Sequence, residues 1–160
     1  MADQTHMTST HQIADSYRAA TLKDAWYGPS LAELLAKTTP ELAVTLPLPN
    51  AHSISALLQH LLLWNERIRL TSATHPMPKW DADKDWAEPP IPWPELLTRW
   101  NQSRDQLEDR IRNFPVEDLP AQVPGRTYAY EFLYRGAAEH VIYHSGQIAM
   151  VLSLLHSRSM

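Results

Sequence analysis

Residues 132–155 read FLYRGAAEHVIYHSGQIAMVLSLL, which is a long and largely apolar segment. It contains no proline, and a helix drawn from about Tyr130 to Leu155 is apolar on nearly all sides. Helices of that kind are buried, so we expect this one to be the most buried helix of the protein. Its most apolar part nevertheless carries two imidazoles, His140 and His144, and their presence there needs an explanation.

Proline marks the connections between the remaining segments. Thirteen prolines are present, most of them in the stretches TLPLPN, HPMPKW, EPPIPWP and FPVEDLPAQVPG, and proline interrupts helices because it lacks a backbone donor. The intervening segments have helical periodicity and span about 8–25, 53–72, 94–114 and 130–155. They predict an all-α protein, a four-helix bundle in a single domain over residues 1–160. Residues 1–7 are expected to be flexible or an added leader.

The second and third helices each show which face they bury. An inward stripe in the second and a seam with alternating spacings of three and four residues in the third are typical of bundle helices. The stripe comprises Ile54, Leu57, Leu58, Leu61, Asn65 and Ile68, and the seam comprises Leu97, Trp100, Arg104, Leu107, Ile111 and Phe114. After the first helix, SLAELLAK predicts a short helix in which Ser30 is the N-cap and Glu33 completes a capping box.

Composition and charge exclude several classes of function. The formal charge of −4 offers no basic patch for a phosphate backbone, so we expect no nucleic acid partner. The chain has no cysteine, so a metal would be held by histidine, carboxylate or water, and a cytoplasmic location fits this absence. No apolar run reaches the roughly 20 residues that span a bilayer, and the polar N-terminus is unlike a signal peptide, so no membrane association is expected.

The two histidines of the last helix have the geometry of metal ligands. His140 and His144 are one turn apart and project from the same face. Catalytic sites of zinc and related ions usually have three protein ligands, and His60 is the one other histidine in the middle of a predicted helix. The alternative is that these are core histidines bonded to carbonyl groups. A metalloprotease is excluded because Val141, and not glutamate, follows the first histidine of the pair, whereas Glu139 either orients a ligand or caps the solvated side.

Three stretches of the chain resemble the DinB-like (DinB/YfiT) superfamily of metal-binding helical bundles. They are WYGPSLAELL, PLPNAHSISALLQHLLLWNERI and AAEHVIYHSGQIAMVLSLL, in that order. The resemblance implies an up-down-down-up four-helix bundle that is usually a homodimer. It also implies a divalent metal ion held by His60, His140 and His144, for which zinc is the first expectation and nickel the second.

The resemblance further implies a class of reaction. Characterised relatives include transferases and isomerases that use a low-molecular-weight thiol, so we expect a metal-dependent transferase that combines such a thiol with a small-molecule substrate. A non-catalytic metal-binding or interaction module is the alternative, and a fourth ligand such as Glu139 or His52 would favour it. A metal-assisted hydrolase is a weaker option because no general base is evident.

Few residues near the histidines are candidates for binding a substrate. Arg67 lies two turns after His60 and could bind a carboxylate, or it could be a solvated surface residue. Gln147 could donate to a substrate or support an imidazole, while Tyr143 and Trp64 are expected to be core aromatics. No catalytic residue is assigned. The loop from His75 to Pro94 is long and has three tryptophans, so we expect it to wall the pocket or form a dimer contact.

Overall fold

The computed structural model describes residues 9–158, which are all-α. Seven α-helices and one 3-10 helix form in this range, and no β-strand does. The helices are α1 (Thr10–Thr21), α2 (Leu31–Leu35), α3 (Pro40–Val44), α4 (Ile54–Leu70), α5 (Ala82–Asp85), α6 (Trp93–Arg112) and α7 (Tyr130–Ser157), with the 3-10 helix at Val116–Asp118. The expectation for residues 1–7 lies outside the described residues. Among the described helices, none is both long and apolar enough to cross a membrane.

The first four helices, α1 to α4, begin at side chains that cap them. Ser30 accepts from the backbone N–H of Glu33 while the Glu33 carboxylate accepts from the backbone N–H of Ser30, so the predicted capping box is confirmed. Ser53 caps α4 by accepting from the N–H of Ala56 at 3.0 Å. Thr39 caps α3, which the sequence analysis did not predict. Each cap satisfies a backbone donor that the first turn of a helix leaves without a partner.

The four long helices contact one another in a ring. The pairs in contact are α1 with α6, α6 with α4, α4 with α7 and α7 with α1. The core between them includes the fully buried rings of Tyr17, Trp100 and Tyr134. A polar bond closes one end, where Arg110 of α6 donates to the carbonyl of Thr71 just after α4 at 2.7 Å. The architecture is therefore an all-α bundle whose centre is apolar.

Two expectations about the helices are corrected. The first helix ends at Thr21 and not near residue 25, because the chain turns at Asp24, whose φ is 68°. The last helix is not the most buried: 12 of the 28 residues of α7 are buried, against 11 of the 17 residues of α4. The reason is that α4 contacts α3, α5, α6 and α7, whereas α7 leaves Tyr143 and Met150 64% and 67% exposed.

The long segment between α4 and α6 lies along α4 and is fastened to it. Near its start, Arg67 of α4 donates to the carbonyl of Pro78 at 2.9 and 3.1 Å. Near its end, the carboxylate of Glu88 accepts from the hydroxyls of Ser53 and Ser55 at the beginning of α4. These two attachments place the short helix α5 beside the middle of α4, where the candidate site lies.

Candidate metal centre

The structure brings together the three histidines singled out in the sequence. His60 projects from α4, and His140 and His144 project from consecutive turns of α7. The Nε2 atom of His140 lies 3.0 Å from Nε2 of His60 and 3.0 Å from Nε2 of His144. Candidate ligand atoms of all three residues lie within 4.8 Å of one another. Among the residues that the structure describes, no other cluster of this kind is found.

The outer nitrogens of two of these rings have hydrogen-bond acceptors. Nδ1 of His60 contacts a carboxylate oxygen of Asp85 at the end of α5, and Nδ1 of His144 lies 2.6 Å from the amide oxygen of Gln147. Because a carboxylate and an amide oxygen only accept, each Nδ1 carries the proton in the neutral ring. Nε2 of His60 and Nε2 of His144 therefore present lone pairs toward the centre. Partners of this kind orient metal-binding imidazoles in proteins.

The chemistry of this donor set fits a cation. One proton on Nε2 of His140 can be donated to His60 or to His144, but not to both. In at least one of these two contacts, therefore, the lone pairs of two Nε2 atoms face each other at 3.0 Å without a hydrogen between them. Two nitrogens that bind one ion at about 2.0–2.1 Å lie roughly 3 Å apart when their bonds are near perpendicular. His60, His140 and His144 would hold a divalent ion in this way.

Burial keeps the three imidazoles neutral. Desolvation, reinforced by neighbouring imidazoles, lowers the pKa of His60 to about 4 and that of His140 to about 3. Desolvation also lowers the pKa of His144, although the bond to Gln147 opposes the shift. The pKa of Asp85 is raised by its own burial. Neutral imidazoles are the form that binds metal, so little proton competition is expected at neutral pH.

Tryptophan rings enclose the His60 side of the centre. Trp86 stacks on His60 with ring centroids 4.0 Å apart and planes 9° apart, and it also stacks on His52 at 4.1 Å. Trp64 and Trp80 lie edge-on to His60 at 6.4 and 6.2 Å. Two of these tryptophans come from the loop after α4, so that loop walls the site, as one of the two sequence interpretations expected.

Arg67 is buried, and its guanidinium group is engaged by two tryptophan rings and a backbone carbonyl. Its guanidinium carbon lies 4.6 Å from the ring centres of both Trp64 and Trp80, and its nitrogens donate to Pro78. With 9% of its surface exposed it is not the solvated surface residue considered as an alternative. In this arrangement Arg67 holds the loop against α4, and its role as a carboxylate binder stays a prediction.

The remaining candidate residues differ in their contacts and in their exposure to solvent. The Gln147 amide group supports His144 through its oxygen and donates to the Tyr143 hydroxyl at 3.3 Å through its nitrogen. Tyr143 is 64% exposed, so its expected place in the core is wrong, whereas Trp64 packs partly buried against the core. Glu139 is exposed and outside the histidine group, as is His52, so neither is a fourth ligand in this arrangement.

Sequence reasoning missed Asp85 and Trp86. The stretch DADKDW was noted for its acids and its tryptophan, but nothing in its spacing shows which acid contacts a histidine 25 residues earlier. A weak signal was available, because metal-binding imidazoles usually bond a carboxylate or carbonyl through the outer nitrogen. A search for such a partner would have been directed to the acids of this loop.

An all-α bundle with three converging neutral imidazoles and an acid behind one of them defines a helical protein with a candidate divalent-metal centre. A family model described as the DinB superfamily matches residues 24–148, which is most of the chain and includes all three histidines. The chain therefore belongs to the DinB superfamily. No curated protein and no solved structure matches it.

Proposed function

We propose that the protein is a divalent-metal-dependent transferase that acts with a low-molecular-weight thiol cosubstrate. The observation that carries this proposal is the set of three neutral imidazoles, His60, His140 and His144, whose Nε2 atoms converge. Neutral ligands leave a divalent ion with its full charge, and such an ion ionises a bound thiol at neutral pH. The thiol must come from a cosubstrate because the chain has no cysteine.

The protein's own residues orient and shield this chemistry. Asp85 and Gln147 fix the rings of His60 and His144 through their outer nitrogens. The tryptophans around His60 exclude water from that side. In the overall reaction a carbon–sulfur bond forms, the leaving group departs with the electron pair of its bond to carbon, and the thiol proton goes to solvent. A bound metal would supply the ionisation of the thiol, and a thiolate is the expected class of nucleophile.

The proposal is tested with the metal-loaded protein. Thiols such as glutathione, cysteine and coenzyme A are each added, and the melting temperature and the turnover of alkyl and aryl electrophiles are recorded. We expect at least one thiol to raise the melting temperature and to give turnover that disappears in His144→Ala. A panel in which no thiol shifts the melting temperature and none gives turnover would contradict the proposal.

Zinc is the proposed ion and nickel the second candidate. Three imidazoles suit zinc, nickel, copper and iron, and cellular availability contributes to the choice among them. Elemental analysis of protein purified without added metal identifies the ion. A near-stoichiometric content of zinc supports the proposal, and another metal at that level contradicts the assignment of zinc.

A non-catalytic metal-binding module is the second candidate function. The stacking of Trp86 on His60, and the burial of His60 and His144 to 5% and 3% exposure, favour it because structural sites are closed. A metal-anomalous map separates the two candidates. An exchangeable water on the ion favours the transferase, and a fourth protein ligand favours the module.

We also propose an up-down-down-up order of the long helices and a homodimer. The bond from Arg110 to Thr71 joins the ends of α6 and α4 and supports a parallel pair. The bond from Thr10 to the carbonyl of Arg112 joins the start of α1 to the end of α6 and supports an antiparallel pair. A crystal structure tests the order.

The proposed dimer has a candidate surface on α7. Exposed apolar residues of this helix, such as Met150, offer a surface for a second copy, and light scattering of Met150→Lys tests the dimer.

A further inference from the structure

The three histidines differ in how they can be approached. His60 is covered by the face of Trp86, with Trp64 and Trp80 at its edges, and His144 lies near Trp86 and Tyr143. His140 is less buried than the other two, and it lines a cavity. A substrate that reacts at the centre would therefore reach it from the side of His140.

The cavity beside His140 is small and apolar. Its volume is about 220 Å³, and its wall consists of side chains from α4, from α7 and from the segment before α7, namely Trp64, Ile68, Tyr128, Phe132, Leu133, Gly136 and His140. An engineered apolar cavity of about 150 Å³ in another protein binds benzene. The present cavity is thus large enough for one aromatic ring or a short branched alkyl group.

Aromatic side chains make up much of the cavity wall. Trp64 lies on one side, with its ring centre 5.6 Å from that of His140 and the planes 71° apart. Tyr128 and Phe132 form a tilted pair, with ring centres 5.2 Å apart, on the α7 side. Aromatic rings in proteins favour offset and edge-to-face contacts at such distances, so these walls suit a flat apolar group.

We propose that this cavity binds an aromatic ring, or an apolar group of similar size, of the electrophile on which the metal centre acts. The inference rests on the proposed transferase function and specifies the class of its second substrate. The reactive carbon lies at the end of the ring that faces His140, and the ring itself lies between Trp64 and Phe132.

Gly136 lines the cavity without a side chain. Phe132, Gly136 and His140 are spaced at intervals of four residues and share one face of α7. A Cβ atom added at Gly136 would meet no atom within 4 Å, so the fold does not require glycine there for close packing. A leucine at this position would grow into the cavity while favouring the helix. Gly136→Leu should therefore close the cavity and preserve the fold.

Gly146 offers a matched control. It lies in the same helix, it is exposed, and a Cβ atom added there would also meet nothing within 4 Å. It does not line the cavity. Gly146→Leu makes the same chemical change in α7 without filling the proposed ring site.

Two other cavities are less suited to a substrate of the centre. One of about 510 Å³ lies between α1 and α7 beside Trp26, and one of about 330 Å³ lies beside His52 and Gln147. None of the three histidines lines either of them. A group bound in them would be separated from the ion by at least one side chain.

The experiment compares two metal-binding probes that differ by a ring. Benzohydroxamate and acetohydroxamate bind a divalent ion through the same two oxygens, and only the first carries a phenyl group. Their dissociation constants for the metal-loaded protein are measured by calorimetry, together with metal content, in the wild type, Gly136→Leu and Gly146→Leu. We expect the phenyl group to improve binding about 10-fold or more in the wild type, since burial of an apolar ring has that order of effect.

The variants then locate the ring. The preference for benzohydroxamate should fall to about 2-fold or less in Gly136→Leu and should stay within about 2-fold of the wild-type value in Gly146→Leu. Phe132→Ala is a second variant: Phe132 is 65% exposed, so its loss should leave the fold intact and reduce the preference severalfold.

The outcomes separate this inference from the proposed function. Equal binding of both probes to the wild type, or a preference that survives both Gly136→Leu and Phe132→Ala, would overturn the ring site while the metal centre stands. Failure of both probes to bind metal-loaded wild-type protein would show that the ion has no exchangeable positions. That result would overturn the transferase proposal and the substrate class with it.

Discussion

Removal of the Asp85 carboxylate should weaken metal binding even though Asp85 is not among the three candidate ligands. In the structure this carboxylate is 5% exposed and bonds Nδ1 of His60. In Asp85→Ala the ring loses its fixed orientation, and a buried N–H loses its acceptor. Loss of such a partner typically weakens metal affinity by about 10–100-fold, which is about 1.4–2.7 kcal/mol. An unpaired buried donor costs a similar amount, about 1–3 kcal/mol.

The chain provides a matched control for this substitution. Asp83 lies two residues earlier in the same short helix and is exposed. Asp83→Ala removes the same charge from the same element without touching His60. A third variant, Asp85→Asn, keeps an oxygen that can accept from Nδ1 but removes the negative charge. We therefore expect affinity to decrease in the order wild type and Asp83→Ala together, then Asp85→Asn, then Asp85→Ala.

The assay is competition between the protein and a chromophoric chelator of known zinc affinity at pH 7.5. Each variant is first checked for helix content by circular dichroism, so that a folding defect is not read as a loss of affinity. Equal zinc affinities for Asp85→Ala and Asp83→Ala would contradict this role of Asp85. In that case the contact between Asp85 and His60 would fasten the loop without tuning the metal centre.

Four further outcomes are expected. His144→Ala should lose stoichiometric metal by elemental analysis, and full metal content in this variant would contradict the assignment of His144 as a ligand. Chelation of the metal should lower the wild-type melting temperature, since an ion at 100 times its Kd stabilises the fold by about 2.7 kcal/mol. Metal-free protein should lose stability as the pH falls below about 6.5, the ordinary pKa of histidine. Burial lowers the folded-state pKa of His60 to about 4 and that of His140 to about 3, so the unfolded chain takes up protons first and is favoured. Urea midpoints that do not change between pH 6.5 and 4 would contradict this. Arg67→Ala should destabilise the fold by about 2–3 kcal/mol in urea unfolding, because it removes two cation–π contacts and the bonds to Pro78. Arg69→Ala breaks a partly exposed ion pair and should cost under about 1 kcal/mol. Equal costs would contradict the role given to Arg67.

Periodicity predicted the long helices because their apolar spacing reflects local geometry. Ser30 with Glu33 and the His140–His144 pair are likewise local patterns, so their geometry follows from helix pitch alone. The prediction of which helix face is buried was less accurate. Leu96 is fully buried in α6 and Leu97 only partly, although the alternating spacing favoured Leu97. An error of one residue corresponds to about 100° of rotation, which tertiary packing decides.

The burial of α7 and the position of Asp85 could not be predicted from local sequence. An apolar composition shows that a helix is able to be buried, but not which of its faces other helices cover, and Met150 lies on the face that stays exposed. The path of the loop depends on contacts between residues distant in the chain, such as Arg67 with Pro78 and Glu88 with Ser53. The short helix α3 is different, because Thr39 followed by Pro40 is a recognisable start signal.

The hydrogen bond between Asp85 and His60 couples the loop to the metal centre. Asp85 bonds His60 from the loop side, and His60 faces the candidate ion with its other nitrogen. Docking of the loop therefore orients a metal ligand, and a bound ion strengthens the Asp85 bond because it draws charge from the imidazole. Coupling between two such events is reciprocal by linkage, so whatever free energy the docked loop adds to metal binding, the ion adds to loop docking. The loop is in this sense part of the metal centre, although all three candidate ligands lie on the helices of the bundle.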